Sequence, residues 1–264
     1  TSRLGQDTAL SPNTLKQGKR LVTKLWNAAK LAAMSLEGAE SHGVLNPTTP
    51  KGDIESGVIS HPLDQWLLGE LSQTIAKATE AFENYEYAAA QREVEDFFWR
   101  TYCDNYLEIV KRRTRFEGKP EGEELSAVHT LWHATDALIR LFAPFIPYVT
   151  DALYDVMIGD REGMPSTVHA RGMWPKAADQ APAGAFEKEG EAFVQILAAA
   201  RKVKSEAQVS MKTAANTLTI SGQGAGAVAE LIGETAEDLM AVTSAGEIVR
   251  AETAPEGVAS VVSP

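Results

Sequence analysis

Apolar positions recur at helical spacing over most of the first 160 residues. From Asn13 to Leu36 the residues Leu21, Leu25, Ala28, Ala32 and Leu36 fall on one face. Ser11-Pro12 ahead of them reads as an N-cap followed by proline at the first helical position. A second helix is predicted from His61-Pro62 to about Asn84. A third runs from Tyr85 to Arg113 on an apolar set that includes Val94, Phe97, Phe98, Tyr102, Tyr106 and Val110. Gly118 and Pro120 break the chain before a fourth helix, Glu123–Phe142, and Pro144 and Pro147 bracket a corner before a fifth, Tyr148–Ile158. Segment 38–62, rich in Gly, Pro, Ser and Asn, reads as a loop. Long amphipathic helices joined by short connections predict a helical bundle.

The pattern then changes. Thr167–Met173 reads as an extended segment ending in Trp174-Pro175, and Lys176–Ala185 as an Ala/Pro/Gly linker. Phe186 to about Ser205 is helical again. Beyond it, short β-like runs (Asn216–Ser221, Ile248–Ala251, Val258–Val262) accompany a small-residue helix near Ala225–Met240. The expected fold is therefore mainly α. An antiparallel helical bundle occupies 1–160, an extended segment and linker 161–185, and a small C-terminal α+β subdomain 186–264.

Charge alters this picture in one place. The chain carries a formal net charge of −11, which argues against generic nucleic-acid binding and against DNA as a partner. Yet no Asp or Glu occurs between Asp7 and Glu37, while Lys16, Lys19, Arg20, Lys24 and Lys30 do. At about 100° per residue, Lys16, Arg20, Lys24, Asn27 and Lys30 share roughly a third of the helix circumference. A solvated helix face ordinarily mixes signs, and like charges at i,i+4 repel by a few tenths of a kcal/mol per pair. The arrangement suits either a polyanion surface or a plain cationic outer face. Two further clusters, Lys111–Arg113 with Arg115 and Lys119, and Arg201, Lys202 and Lys204, end helices, where cations complement the macrodipole.

Candidate chemistry is sparse. His129 and His133 stand at the i,i+4 spacing that can place two imidazoles on one metal. No HExxH pattern or third ligand accompanies them, so they read as ordinary helix histidines and no metal site is expected. The lone cysteine, Cys103, reads as a buried small hydrophobe, lacks a partner for a disulfide and suits a reducing cytosol. Among the aromatics Phe97–Tyr106, Trp99 is offset from the inward-facing set and reads as a surface group. There is no P-loop, GxGxxG, nucleophile elbow or paired carboxylate motif, so no catalytic residue is assigned. No run is long and apolar enough to span a membrane, and no signal-peptide pattern is present. Thr1 in place of an initiator Met reads as a cut into a longer protein.

Four stretches occur in order: TKLWNAAKLA, DQWLLGELSQTI, FENYEYAAAQREVEDFFWRTYCDNYLEIVKRR and LIRLFAPFIPYVTDALY. Together they resemble the C-terminal, anticodon-binding part of the valyl-tRNA synthetases, which are class I aminoacyl-tRNA synthetases. The lead-in SRLGQDTALSPNTLKQGKRL resembles the junction after that family's catalytic domain, and the similarity covers about residues 1–210. The resemblance implies a cytoplasmic, monomeric protein that binds tRNA, tRNA(Val) in particular, through its anticodon arm. It implies that a full-length form would use ATP and Mg²⁺ to attach valine to tRNA. The HIGH-like and KMSKS-like signatures and the editing insertion lie elsewhere in that family. This chain alone is therefore expected to need no cofactor, to be catalytically inactive, and to have the missing catalytic domain as a partner. Arg20, Lys24, Asn27 and Lys30 match the polar face of the family's first bundle helix. Arg20, Lys24 and Lys30 would neutralise phosphates, and Asn27 would hydrogen-bond a base edge or loop backbone. The alternatives are the equivalent domain of an isoleucyl- or leucyl-type synthetase, and a helical scaffold that binds no RNA. Residues 210–264 are too rich in Gly and Ala for the family's coiled-coil arm.

Overall fold

The structure, a computed structural model, describes residues 11–158, 165–171, 174–221, 232–251 and 259–263. Its helices are α1 (Pro12–Ser41), α2 (Pro50–Glu55), α3 (Pro62–Glu83), α4 (Tyr87–Asp96), α5 (Leu107–Ile109), α6 (Gly122–Phe142), α7 (Pro147–Met157), α8 (Val168–Arg171), α9 (Glu187–Glu206) and α10 (Ala236–Thr243). Between α4 and α5 the chain continues as a π-helical run, Phe97–Tyr106. The expected mainly α bundle with a small α+β C-terminal part is present. Proline stands in the first turn of α1, α2, α3 and α7, where its missing N–H costs nothing. Ser11 caps α1 by accepting from the Asn13 N–H.

Two local expectations are corrected. Segment 38–62 contains α2, started by Thr49 accepting from the Gly52 N–H and by Pro50. Within the expected extended stretch 167–173, Val168–Arg171 forms a short helical turn, with Thr167 accepting from the Ala170 N–H. Trp174 after it packs edge-on against Phe82 and donates its indole N–H to Thr79.

α6 is the central helix. Every residue from Ser126 to Ile139 is buried, so its polar side chains must find partners on the surrounding elements. Thr135 pairs with the Tyr102 hydroxyl at 2.6 Å, Ser126 donates to Asp64 at 2.7 Å, and Asp136 pairs with Arg140. The first two bonds fix the rotation of α6 against α3 and the π run, which apolar packing alone specifies less uniquely, whereas the Asp136–Arg140 pair lies within α6 itself. α1 packs across α6 and α7 with Leu21, Leu25, Ala28, Ala29, Ala32 and Leu36 buried.

α9 packs against α3 on one side and against α10 and the sheet on the other. The sheet has order β2-β1-β3, with β1 (Ala215–Ser221) parallel to β2 (Ala245–Ala251) and antiparallel to β3 (Ala259–Ser263). The expected helix near Ala225–Met240 is observed as a 3-10 turn, Gly233–Thr235, leading into α10 from Ala236, and residues 225–231 lie outside the described residues. Where α9 crosses α3, Gly190 lies so close to the buried Trp66 ring that any Cβ there would overlap it. Gly190→Ala should therefore lower the melting temperature. The helix-propensity gain of about 1 kcal/mol is smaller than the ~1–3 kcal/mol of forcing a packed indole aside. An unchanged or higher melting temperature would show that Trp66 yields freely.

Candidate nucleic-acid interface

The acid-free helix turns its apolar stripe inward and its cations outward. Arg20, Asn27 and Lys30 are exposed and Lys24 is half-buried. Arg20, Lys24 and Asn27 line one open cleft of about 720 Å³, together with Lys16, Trp99 and Asp104. Lys30 lies on the same helix, outside that cleft. Arg20 and Trp99 also border a groove of about 610 Å³ on the other side of the helix, toward Gln91, Glu95 and Ile146.

Trp99 and Asp104 reach the cleft because they lie on the π run. Winding by i→i+5 bonds widens the helix and rotates later side chains relative to an α-helical frame. Phe98, Tyr102 and Tyr106 still face the core, as their spacing predicts, with the Tyr102 and Tyr106 rings stacked at 6.4 Å. Half-buried Trp99 packs against that core while facing the cleft. Sequence reasoning placed it at the surface without assigning it a role; its offset from the inward set was the available signal.

None of Lys16, Lys19, Arg20, Lys24 and Lys30 forms an ion pair with a described residue. The other cationic clusters are different. Arg112 makes two hydrogen bonds to the Glu123 carboxylate at 2.9 and 2.7 Å and reaches Glu237 and Asp238 at 3.2 Å. Arg113, buried, grips both oxygens of Asp64 at 2.8 and 2.9 Å and donates Nε–H to Asp238 at 2.8 Å. Arg201 donates to Asn105 and to the Asp104 carbonyl. Lys204 is buried against three backbone carbonyls. Lys111 pairs with Glu108 and Lys202 with Glu206. Arg113 and Lys204 are buried with their donors spent inside the protein, so neither offers an RNA surface, and half-buried Arg112 is engaged by three carboxylates.

His129 and His133 are brought together on a third residue. Both point from α6 at one oxygen of Asp53 on α2: His129 Nδ1 and His133 Nε2 lie 2.8 and 2.7 Å from Oδ2. Oδ1 accepts from the Thr48 hydroxyl at 2.6 Å and the Thr48 N–H at 3.2 Å. Burial alone would raise the Asp53 pKa, but hydrogen bonds from His129, His133 and Thr48 hold it well below the usual carboxylate range. The third member was invisible in sequence because 76 residues separate Asp53 from His129. His61 caps α3 by accepting the Leu63 N–H. The Cys103 thiol is pushed up to about 12 by burial, against the opposing pull of Lys24, so it is no nucleophile at neutral pH.

Among the described residues no helix is long and apolar enough to cross a membrane. Residues 64–219 match the family described as anticodon-binding domain of tRNA ligase. The chain is 41% identical over 222 residues to a valine–tRNA ligase of Anaplasma marginale, covering 84% of this chain and 24% of the relative. It is 38% identical over 248 residues to one of Rickettsia felis, covering 94% and 27%. A third, from Wolbachia sp. subsp. Brugia malayi, is 36% identical over 258 residues, covering 97% and 28%. The chain thus spans about a quarter of the length of the curated relatives it matches. A bundle with an acid-free cationic outer helix, and a family match over more than half its length, lead to one assignment: the chain belongs to the anticodon-binding domains of the tRNA ligases.

Proposed function

We propose that the chain is the tRNA-binding, C-terminal part of a valine–tRNA ligase, and that the outer face of α1 receives the anticodon arm of tRNA(Val). The observation that carries this reading is the contrast in charge pairing. The α1 cations have no carboxylate partner among the described residues, whereas Arg112 and Arg113 are consumed by internal ion pairs. An unpaired cationic face on a protein of charge −11 supports a polyanionic partner. Arg20, Lys24 and Lys30 act on backbone phosphates, and Asn27 hydrogen-bonds a base edge or loop backbone. Trp99 offers a ring face in the same cleft, and single-stranded loop bases, unlike duplex ones, can splay out and stack on it.

In this reading the full-length enzyme attaches valine to tRNA in the cytoplasm, using ATP and Mg²⁺ bound by its catalytic domain. The chain alone binds tRNA as a monomer and does not aminoacylate. Valine selection needs no contribution from this region, since a hydrophobic amino-acid pocket and editing handle that discrimination elsewhere.

The double substitution Arg20→Glu/Lys24→Glu, on an outer face whose removal leaves the core intact, tests the proposal. tRNA(Val) affinity should fall at least tenfold. The slope of log K against log[salt] should become shallower by about 1.4–1.8, two lost phosphate contacts at ~0.7–0.9 each. Unchanged affinity with an intact circular-dichroism spectrum would remove α1 from the interface. Equal affinity of the parent chain for tRNA(Ile) would remove the valine assignment.

A further inference from the structure

We propose that Asp53, His129 and His133 form a binding site for a divalent transition metal ion of the zinc class, stapling α2 and its flanking loops onto the central helix α6. Three ligand atoms, Asp53 Oδ2, His129 Nδ1 and His133 Nε2, converge within 4.8 Å of one another, and all three residues are buried. Two imidazoles and one carboxylate oxygen make a donor set for zinc, cobalt or nickel; magnesium and calcium prefer all-oxygen surroundings.

The groups behind the ligands fit that role. The Val44 carbonyl, 3.3 Å from His129 Nε2, can only accept, so that nitrogen carries a hydrogen. Nδ1, which donates to Asp53 in the metal-free form, is then the nitrogen that offers a lone pair once its hydrogen gives way to an ion. Metal-bound histidines are oriented in this way by a carbonyl on the far ring nitrogen. Asp53 is held comparably, its other oxygen taking two hydrogen bonds from Thr48. These backing bonds leave Oδ2 to face the two imidazoles.

Of the three ligands, His133 borders open space. A cavity of about 160 Å³ lies beside His133, lined also by Thr48, Pro50, Trp132, Lys176 and Gln180. That volume admits several waters. Gln180 is 4% exposed, and its Oε1 has no hydrogen-bond partner. An orphaned buried acceptor on the wall of this cavity is costly, and a metal-bound water there would satisfy it by donating to it. This orphaned acceptor is independent of the His–Asp–His geometry and marks the His133 side as the one where water would enter.

In the proton-bound form both nitrogens sit at hydrogen-bonding distance from Oδ2. An ion with bonds of ~2.0–2.1 Å in tetrahedral geometry separates its ligand atoms by about 3.3 Å. The two Asp53–histidine distances of 2.8 and 2.7 Å must therefore open by ~0.5 Å as the ion replaces the hydrogens between those atoms. The outcome is a staple between residues of a Gly/Pro-rich loop region and α6, a region otherwise tied down by a helix of six residues.

The experiment is titration of the full chain, stripped with chelator, first with cobalt(II) and then with zinc. One equivalent of cobalt should produce the d–d absorption of a four-coordinate N/O site, and zinc should displace it stoichiometrically. Zinc should also raise the melting temperature and shift the ring resonances of His129 and His133 in the unmutated protein. His133→Ala should weaken binding at least a hundredfold. His42→Ala, an exposed histidine outside the cluster, should leave it unchanged. No stoichiometric binding by the parent chain would overturn the proposal. So would saturable binding that leaves the His129 and His133 resonances in place, because the ion would then lie elsewhere. The resonance readout needs no variant, so it decides the matter even where His133→Ala fails to fold.

Discussion

Replacing Arg113 by Met should cost about 3–5 kcal/mol of stability, the range for removing one partner from a buried ion pair. The side chain is 1% exposed, and those of Asp64 and Asp238 are fully buried. Methionine fills much of the same volume, so lost packing contributes little. The penalty comes chiefly from the Asp64 carboxylate left in a low-dielectric interior, since Asp238 keeps Arg112 at 3.2 Å. Asp64 keeps hydrogen bonds from the Tyr106 hydroxyl at 2.8 Å and from Ser126, yet loses the cation it pairs with among the described residues. Burial by itself would raise the Asp64 pKa, and the Arg113 charge is the first of the influences that hold it down.

The pH dependence follows in sign. In the parent chain the folded Asp64 pKa is depressed. Its contribution is therefore present above the ordinary carboxylate value of about 4 and is lost as pH falls through the folded value. In Arg113→Met the folded pKa is raised instead, so the folded state binds protons more readily than the unfolded one. The variant should gain stability between pH 7 and 5, where the parent shows no gain from this group. Adding Asp64→Asn should recover part of the loss by removing one orphaned charge. Denaturant unfolding checks all three; a single variant within ~0.5 kcal/mol of the parent would show the pair to be energetically idle.

Arg113 also marks the limit of what could be read in advance. In the run Lys111–Arg113 the sequence shows cations at a helix end, and nothing local says which one turns inward. That depends on Asp64, 49 residues earlier, and on Asp238, 125 residues later. The Asp53–His129–His133 cluster was hidden in the same way, by sequence distance. The bundle helices were legible to within a few residues because hydrophobic periodicity and Pro or Ser caps are local signals. So was the outer face of α1, whose lack of acids needs no tertiary information. The π run was not legible. It keeps the same apolar residues inward and changes only the backbone hydrogen-bond register, which leaves no mark on the hydrophobic pattern. α2 was missed with less excuse, since Thr49-Pro50 with Asp53 in the first turn is a start signal that the surrounding Gly and Pro obscured.

Lys204 supports the second large effect, on the C-terminal part of the fold. It is 2% exposed at the end of α9. Its ammonium donates to the carbonyls of Met211 at 3.0 Å, Thr213 at 2.6 Å and Thr243 at 2.6 Å. Those carbonyls come from the turn before β1 and from the end of α10. One side chain thus ties α9, the start of β1 and α10 together. Burial pulls the ammonium pKa down. The three carbonyls oppose that pull, because they need three N–H donors and only the charged form supplies three. Lys204→Met keeps the length of the stem and removes every donor. The Thr243 carbonyl is then left buried without this partner, and the two others regain only what water can reach. An unsatisfied buried acceptor costs about 1–3 kcal/mol, so a loss of ~3 kcal/mol is expected for the set. Because the site lies beyond α3 and α6, the loss should be local. Hydrogen exchange should accelerate in β1, β2 and α10, while the amides of α6 keep their protection. tRNA affinity through α1 should also be retained. Equal acceleration across α6 would mean that the C-terminal sheet and the bundle unfold as one unit, and that Lys204 holds the whole of it.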